Sequence, residues 1–176
     1  GRFAGRIVRR RRRGDEGGAA AVEFGFVAIP FFALIGAIIE TAMVFLAGQI
    51  LETAVNDAAR LIRTGQVQQA NTSADAFKTE VCNRLYILFE CSGIYIDVRT
   101  ATTFGGISTT PPIDSDGNFV KDFTYVPGKA SEIVVVKAYY EYPLVLSGLG
   151  MDLSDLASGK RLIGAVSAFR NEPFPW

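Results

Sequence analysis

Between residues 24 and 39 the chain carries no charge, and after Glu40 it stays uncharged through Leu51. A helix needs roughly 20 mostly apolar residues to cross a bilayer, so this run is long enough. Glu23 and Glu40 stand near its ends, about 25 Å apart at a rise of 1.5 Å per residue. That separation is close to the hydrocarbon thickness, so both carboxylates reach toward headgroups, the less costly place for them. Pro30 removes one helical hydrogen bond, a defect that membrane helices tolerate. Farther on the pattern changes. Leu51, Ala54, Val55, Ala58, Ala59 and Ile62 recur at the spacing of a single helix face. Gln49, Glu52, Asn56, Arg60 and Arg63 fall largely on the other side. Gly65 is a candidate C-cap. The pattern predicts one helix over about residues 19–64, its first half in lipid and its second half amphipathic.

A second helix is predicted in "NTSADAFKTEVCNRLYILF", with Ser73 as N-cap and Phe77, Val81, Leu85 and Leu88 as its apolar stripe. Strand signals follow. "IYIDVR" alternates Ile94, Ile96 and Val98 against Tyr95, Asp97 and Arg99. "EIVVVKAYYEY" is rich in β-branched and aromatic residues, and "RLIGAVSAFR" reads as a last strand. A polar Gly/Thr/Pro-rich surface loop fills residues 102–117. "SGLGMDLSDLASG" is a connector with a short helical turn. The pattern yields an α+β chain: a long N-terminal membrane-spanning helix, then helices packed on a small antiparallel sheet.

Charge sharpens this picture. Lys plus Arg equals Asp plus Glu at 18 each, but seven arginines precede the apolar run, at positions 2, 6 and 9–13. Past Leu51 the chain has 11 basic and 14 acidic residues. A basic block directly before a membrane helix sets topology, with the N-terminus inside, and also suits anionic lipid. Nucleic-acid binding explains it less well. A cleaved signal peptide is the competing reading of the N-terminus, but the apolar run is too long and no Ala-x-Ala site ends it.

The chain has no histidine, which removes the commonest general base and metal ligand. It shows neither a Gly-x-Ser-x-Gly elbow nor a zinc motif. An enzyme is therefore not expected, nor a cofactor, a metal, a small-molecule substrate or a nucleic acid. Cys82 and Cys91 are the two cysteines. Both lie on the outer side of the predicted membrane, where disulfides persist. A bridge between them closes a loop of about ten residues and is worth about 2–3 kcal/mol in the chain-entropy model. "DSDGNF" lacks the later ligands of a calcium loop and reads as a turn. Glu40 is either an interfacial carboxylate or a subunit contact. Gly36, Gly48, Ala33, Ala37 and Ala47 are small residues of the kind that let membrane helices approach closely. The closing "FRNEPFPW" either packs back on the domain or docks a neighbour through Phe169, Phe174 and Trp176.

One short stretch carries a more specific signal. "GGAAAVEF" resembles a type IV-type prepilin cleavage site: a basic leader, a glycine, a short apolar stretch with Glu fifth after the cut, then an aromatic. Gly18, Glu23 and Phe24 fill those places, so the cut falls between Gly18 and Ala19. The wider segment "GAAAVEFGFVAIPFFALIGAIIETAMVFLAGQILETAVNDAARLIRTGQ" resembles the TadE-like family, minor pilin-like proteins of the tight-adherence (Flp) pilus system. The second glutamate, "AAR" after the membrane and the closing "FRNEPF" fit that family too.

The resemblance implies a minor pilin or pseudopilin with a pilin-like outer domain. Residues 1–18 would be a cytoplasmic leader and residues 19–51 the transmembrane helix. The helix would continue to about residue 64, and residues 65–176 would form a periplasmic domain at the bacterial inner membrane. The implied partners are a prepilin peptidase, other minor pilins, the pilus assembly platform and membrane lipid. Glu23 and Phe24 become assembly residues, since a carboxylate among packed helices can pair with the new Ala19 ammonium. The alternative is an uncleaved bitopic scaffold or adhesin of the same machinery.

Overall fold

A computed structural model describes residues 16–85, 88–146 and 152–175. The arginine leader, the connector's first residues (147–151) and Trp176 lie outside the described residues. The described elements are helices α1 (Glu16–Arg63), α2 (Gln66–Gln69) and α3 (Ala74–Cys82), and strands β1 (Ile94–Ala101), β2 (Ile133–Tyr142) and β3 (Arg161–Arg170). The three strands form one antiparallel sheet in the order β1-β2-β3. The fold is α+β, a long apolar helix followed by short helices and this sheet. The chain divides into two compact units, Gly1–Ile38 and Ile39–Trp176.

The first unit's described part is helical, with Pro30 inside the helix. Its large apolar side chains face outward: Phe24 is 71% exposed and Phe26 78%.

The second unit is built around residues 39–63 of α1. Leu51, Ala54, Val55, Ala58, Ala59 and Ile62 are all buried, and Ala47 joins them. They meet Ile94 and Val98 of β1, Val134, Val136, Ala138 and Tyr140 of β2, and Ile163 and Ala165 of β3. The strand register places these residues side by side, Ile94 opposite Tyr140, Val98 opposite Val136 and Ile163 opposite Tyr140. A period of 3.6 on the helix and of 2 on the strands thus converge on one core.

Two elements differ from the sequence expectation. The second helix, α3, stops at Cys82 instead of running on through Leu88. Ser73 does cap it, its Oγ accepting from the Ala76 N–H at 3.2 Å. Cys82 and Cys91 form a disulfide with Cα atoms 5.7 Å apart. Nine further residues of helix would separate those Cα atoms by roughly 13 Å, so an uninterrupted helix and the bridge exclude each other. Leu85 and Leu88 still pack on the core, from irregular chain. In the connector, the described residues form a turn rather than a helix, with Leu156 buried.

The sheet's second face is covered as well. Most of residues 102–117 are exposed, but Ile113, Phe119 and Phe123 fold onto Tyr95 and Tyr139. Phe119 meets Tyr95 edge-on at 5.2 Å between ring centroids. Asp97, on the face opposite Ile94, Ile96 and Val98, is only 6% exposed. Its carboxylate accepts from Arg99 Nε at 2.8 and 2.9 Å and from the Thr124 N–H at 2.9 Å. The Asp97 carboxylate, hydrogen-bonding first and charge second, also raises the Arg99 pKa. Asp97 therefore ties the segment that covers the sheet to β1.

The "DSDGNF" stretch is a turn. Asp114 Oδ1 accepts the backbone N–H groups of Asp116 at 3.0 Å and Asn118 at 2.7 Å. The Asn118 N–H is the main cause of a lowered Asp114 pKa.

Candidate anchoring and assembly site

In the first unit, Gly18 and Ala19 lie on the first turns of α1 and are exposed. The helix begins at Glu16 among the described residues, so both positions are already helical. Glu23 and Phe24 are exposed on the same helix. Among the described residues no side chain pairs with Glu23. By length and composition, Gly18–Arg63 holds one stretch apolar enough to cross a membrane.

In the second unit, the Glu40 side chain finds its partners within its own chain. Counting forward, Glu40, Val44, Ala47, Leu51, Ala54, Ala58 and Ile62 follow steps of three and four. Glu40 thus heads the stripe that fills the core. Its carboxylate accepts the backbone N–H of Val145, and that of Leu146 at 3.1 and 3.2 Å. The side chain holds the chain segment leaving β2. The sequence carried a usable signal, because extending the stripe about three turns back from Leu51 reaches Glu40.

The small residues sort by location. Ala47 is fully buried and serves the outer core, whereas a Cβ on Gly48 would meet open space.

The C-terminal tail packs back on the domain. The Asn171 N–H donates to Glu132 O, and its Nδ2 donates to Pro127 O and Lys129 O. The Glu172 N–H caps α1 by donating to Arg63 O at 2.9 Å. Gly65 ends α1 with φ +80, and a Cβ there would stand 2.6 Å from the Phe174 ring. Gly65 is required twice, for its backbone conformation and for the space the ring occupies. Phe169 is partly buried against the core.

A cleft of 370 Å³ lies between the sheet and the covering segment, lined in part by Asp97, Arg99, Asp122, Lys137 and Tyr139. Its cations are committed. Arg99 binds Asp97 and the Asp122 carbonyl, and Lys137 Nζ donates to Ser108 O at 2.7 Å. These bonds fasten the loop to the strands. Burial is the leading cause of the raised Tyr139 pKa.

One apolar N-terminal helix joined to an α+β unit is compatible with a single-pass membrane protein. Over the helix this chain is similar to a known family: the model described as TadE-like protein matches residues 18–60, about a quarter of the chain. The match spans Gly18, Glu23, Glu40 and the buried Ala58 and Ala59, and it points to a structural, Tad pilus-associated protein. No curated protein and no solved structure matches the chain.

Proposed function

We propose that the chain is a minor pilin or pseudopilin of a Tad (Flp) type IV-like pilus. It would act in pilus assembly or at the filament tip, in adhesion and biofilm formation. One observation carries the reading: Glu23 is an exposed carboxylate on an apolar helix, five residues past Gly18, inside the family-matched segment. The arginine leader holds the N-terminus in the cytoplasm, α1 crosses the inner membrane, and residues 65–176 are periplasmic. A prepilin peptidase cuts between Gly18 and Ala19 and removes all seven leader arginines. The freed Ala19 ammonium then pairs with Glu23 of its own or a neighbouring chain. The pair lowers the cost of burying both charges and sets axial register between helices. Other minor pilins and the assembly platform are the partners.

N-terminal sequencing of the membrane-associated protein, in cells with an active prepilin peptidase, tests the cut. The expected first residue is Ala19, and an intact arginine leader refutes processing. Glu23→Ala should still be cleaved yet fail to co-purify with partner subunits. Normal assembly of that variant removes the role given to the carboxylate.

The second reading is an uncleaved bitopic scaffold or adhesin of the same machinery. The helical state of Gly18 and Ala19 favours it, because a protease needs that turn unwound before the peptide bond is accessible. The same sequencing separates the two.

A further inference from the structure

The second unit carries an apolar tip that the core does not use. Residues 143–146 read Pro-Leu-Val-Leu, with no charge, and follow β2 directly. Val145 is 86% exposed, the most exposed large apolar residue among the described residues. A single isolated apolar side chain on a surface is ordinary. This one is held in place by an unusual partner, the Glu40 carboxylate, which accepts the N–H groups of Val145 and Leu146. Glu40 fixes where along α1 the tip sits.

That level is informative. Within the second unit the outward face of α1 is apolar on both sides of Glu40, at exposed Ile39 before it and Phe45 and Leu46 after it. The outward polar residues begin at Gln49 and Glu52. Leu46 lies about 9 Å farther along the helix than Glu40. The tip therefore stands beside helix turns whose outward side chains are suited to lipid rather than water. At such a level an unpaired carboxylate is costly, and backbone N–H donors offset that cost.

We propose that residues 143–146 are a second membrane contact of the outer unit, immersed at the headgroup–acyl boundary, with Glu40 as the latch that holds them there. The occupant of the patch is a lipid surface. The argument is continuity of level: Glu40 holds exposed Val145 beside the helix turns that carry exposed Ile39, Phe45 and Leu46. This inference rests on the membrane-anchored reading above. A shallow apolar insertion of this kind adds to an existing anchor and restricts how the outer unit tilts against the bilayer.

The test uses the full chain in phosphatidylcholine–phosphatidylglycerol vesicles. Val145→Cys, Phe26→Cys and Ser115→Cys each receive an environment-sensitive fluorophore, the native cysteines being paired. Nitroxide-bearing lipid should quench the probes at positions 26 and 145 by about twofold and leave position 115 unchanged, while aqueous iodide should reach only position 115. Lipid quenching at position 26, with position 145 behaving like 115, overturns the second contact and leaves the anchor intact. Absence of lipid quenching at both positions overturns both. Shielding of position 145 from lipid and iodide alike assigns the patch to another protein copy and also overturns the proposal. Adding Glu40→Ala should reduce lipid quenching at position 145 about twofold without changing position 26. Unchanged quenching there removes Glu40 as the latch.

Discussion

The two stretches of α1 both carry large apolar side chains, and these meet opposite fates. Residues 24–38 turn nearly every large side chain outward, whereas residues 51–62 bury all their apolar positions except Leu61, which is partly buried, along one stripe. Uniform distribution of apolar residues around a helix suits a lipid-like surrounding on all sides. A stripe suits a helix with protein on one side and water on the other. The transition is gradual: between Glu40 and Leu51 the inward face already serves the outer core while the outward face is still apolar. In that overlap a carboxylate is tolerated, because it faces the domain and meets backbone donors.

Removing side chains on either side of the transition should separate the two regimes. Leu51→Ala leaves a cavity in the outer core and should cost about 3 kcal/mol by denaturant titration of the full chain in detergent. Leu34→Ala, on the exposed stretch, should leave that transition within about 0.5 kcal/mol. Equal effects would break the contrast. Replacing Cys82 and Cys91 together by serine should lower the outer unit's stability by about 2–3 kcal/mol, with the helicity of residues 18–38 unchanged by circular dichroism. Gly65→Ala should cost about 1–2 kcal/mol, since it strains a positive φ and drives a methyl group into the Phe174 ring. Phe174→Ala in the same chain should recover part of the loss, leaving the backbone share.

The smallest effect is a titration. Burial pushes the Tyr125 hydroxyl up to about 12. A raised pKa means that the neutral form is favoured in the fold. Its stabilisation is complete below a pH of about 10, the ordinary tyrosine range, and is lost as pH rises through about 12. Ultraviolet titration should show one tyrosine ionising after the others, and that late phase should vanish in Tyr125→Phe.

Much of the outer unit was legible beforehand. The helix stripe, the three strands, the Ser73 cap and the Gly65 terminus each follow from local rules of spacing and capping. The disulfide was legible as well, although its consequence for the second helix was not: a run of helix formers through Leu88 conflicts with a bridge that must close on Cys91. The covering of the sheet's second face was missed for a related reason. Alternation in β1 marks Tyr95, Asp97 and Arg99 as the other face, and only long-range packing decides whether water or a loop meets it.

Sequence alone determined the periods, and with them the apolar segment, the buried stripe and the strand faces, because side-chain direction follows backbone geometry within a few residues. Tertiary structure decided the partners. Glu40 found the Val145 and Leu146 N–H groups, Asp97 found Arg99 and Thr124, and Phe174 found the space over Gly65. Each of these pairs joins chain segments whose meeting depends on how the whole core closes, and no local periodicity encodes that closure.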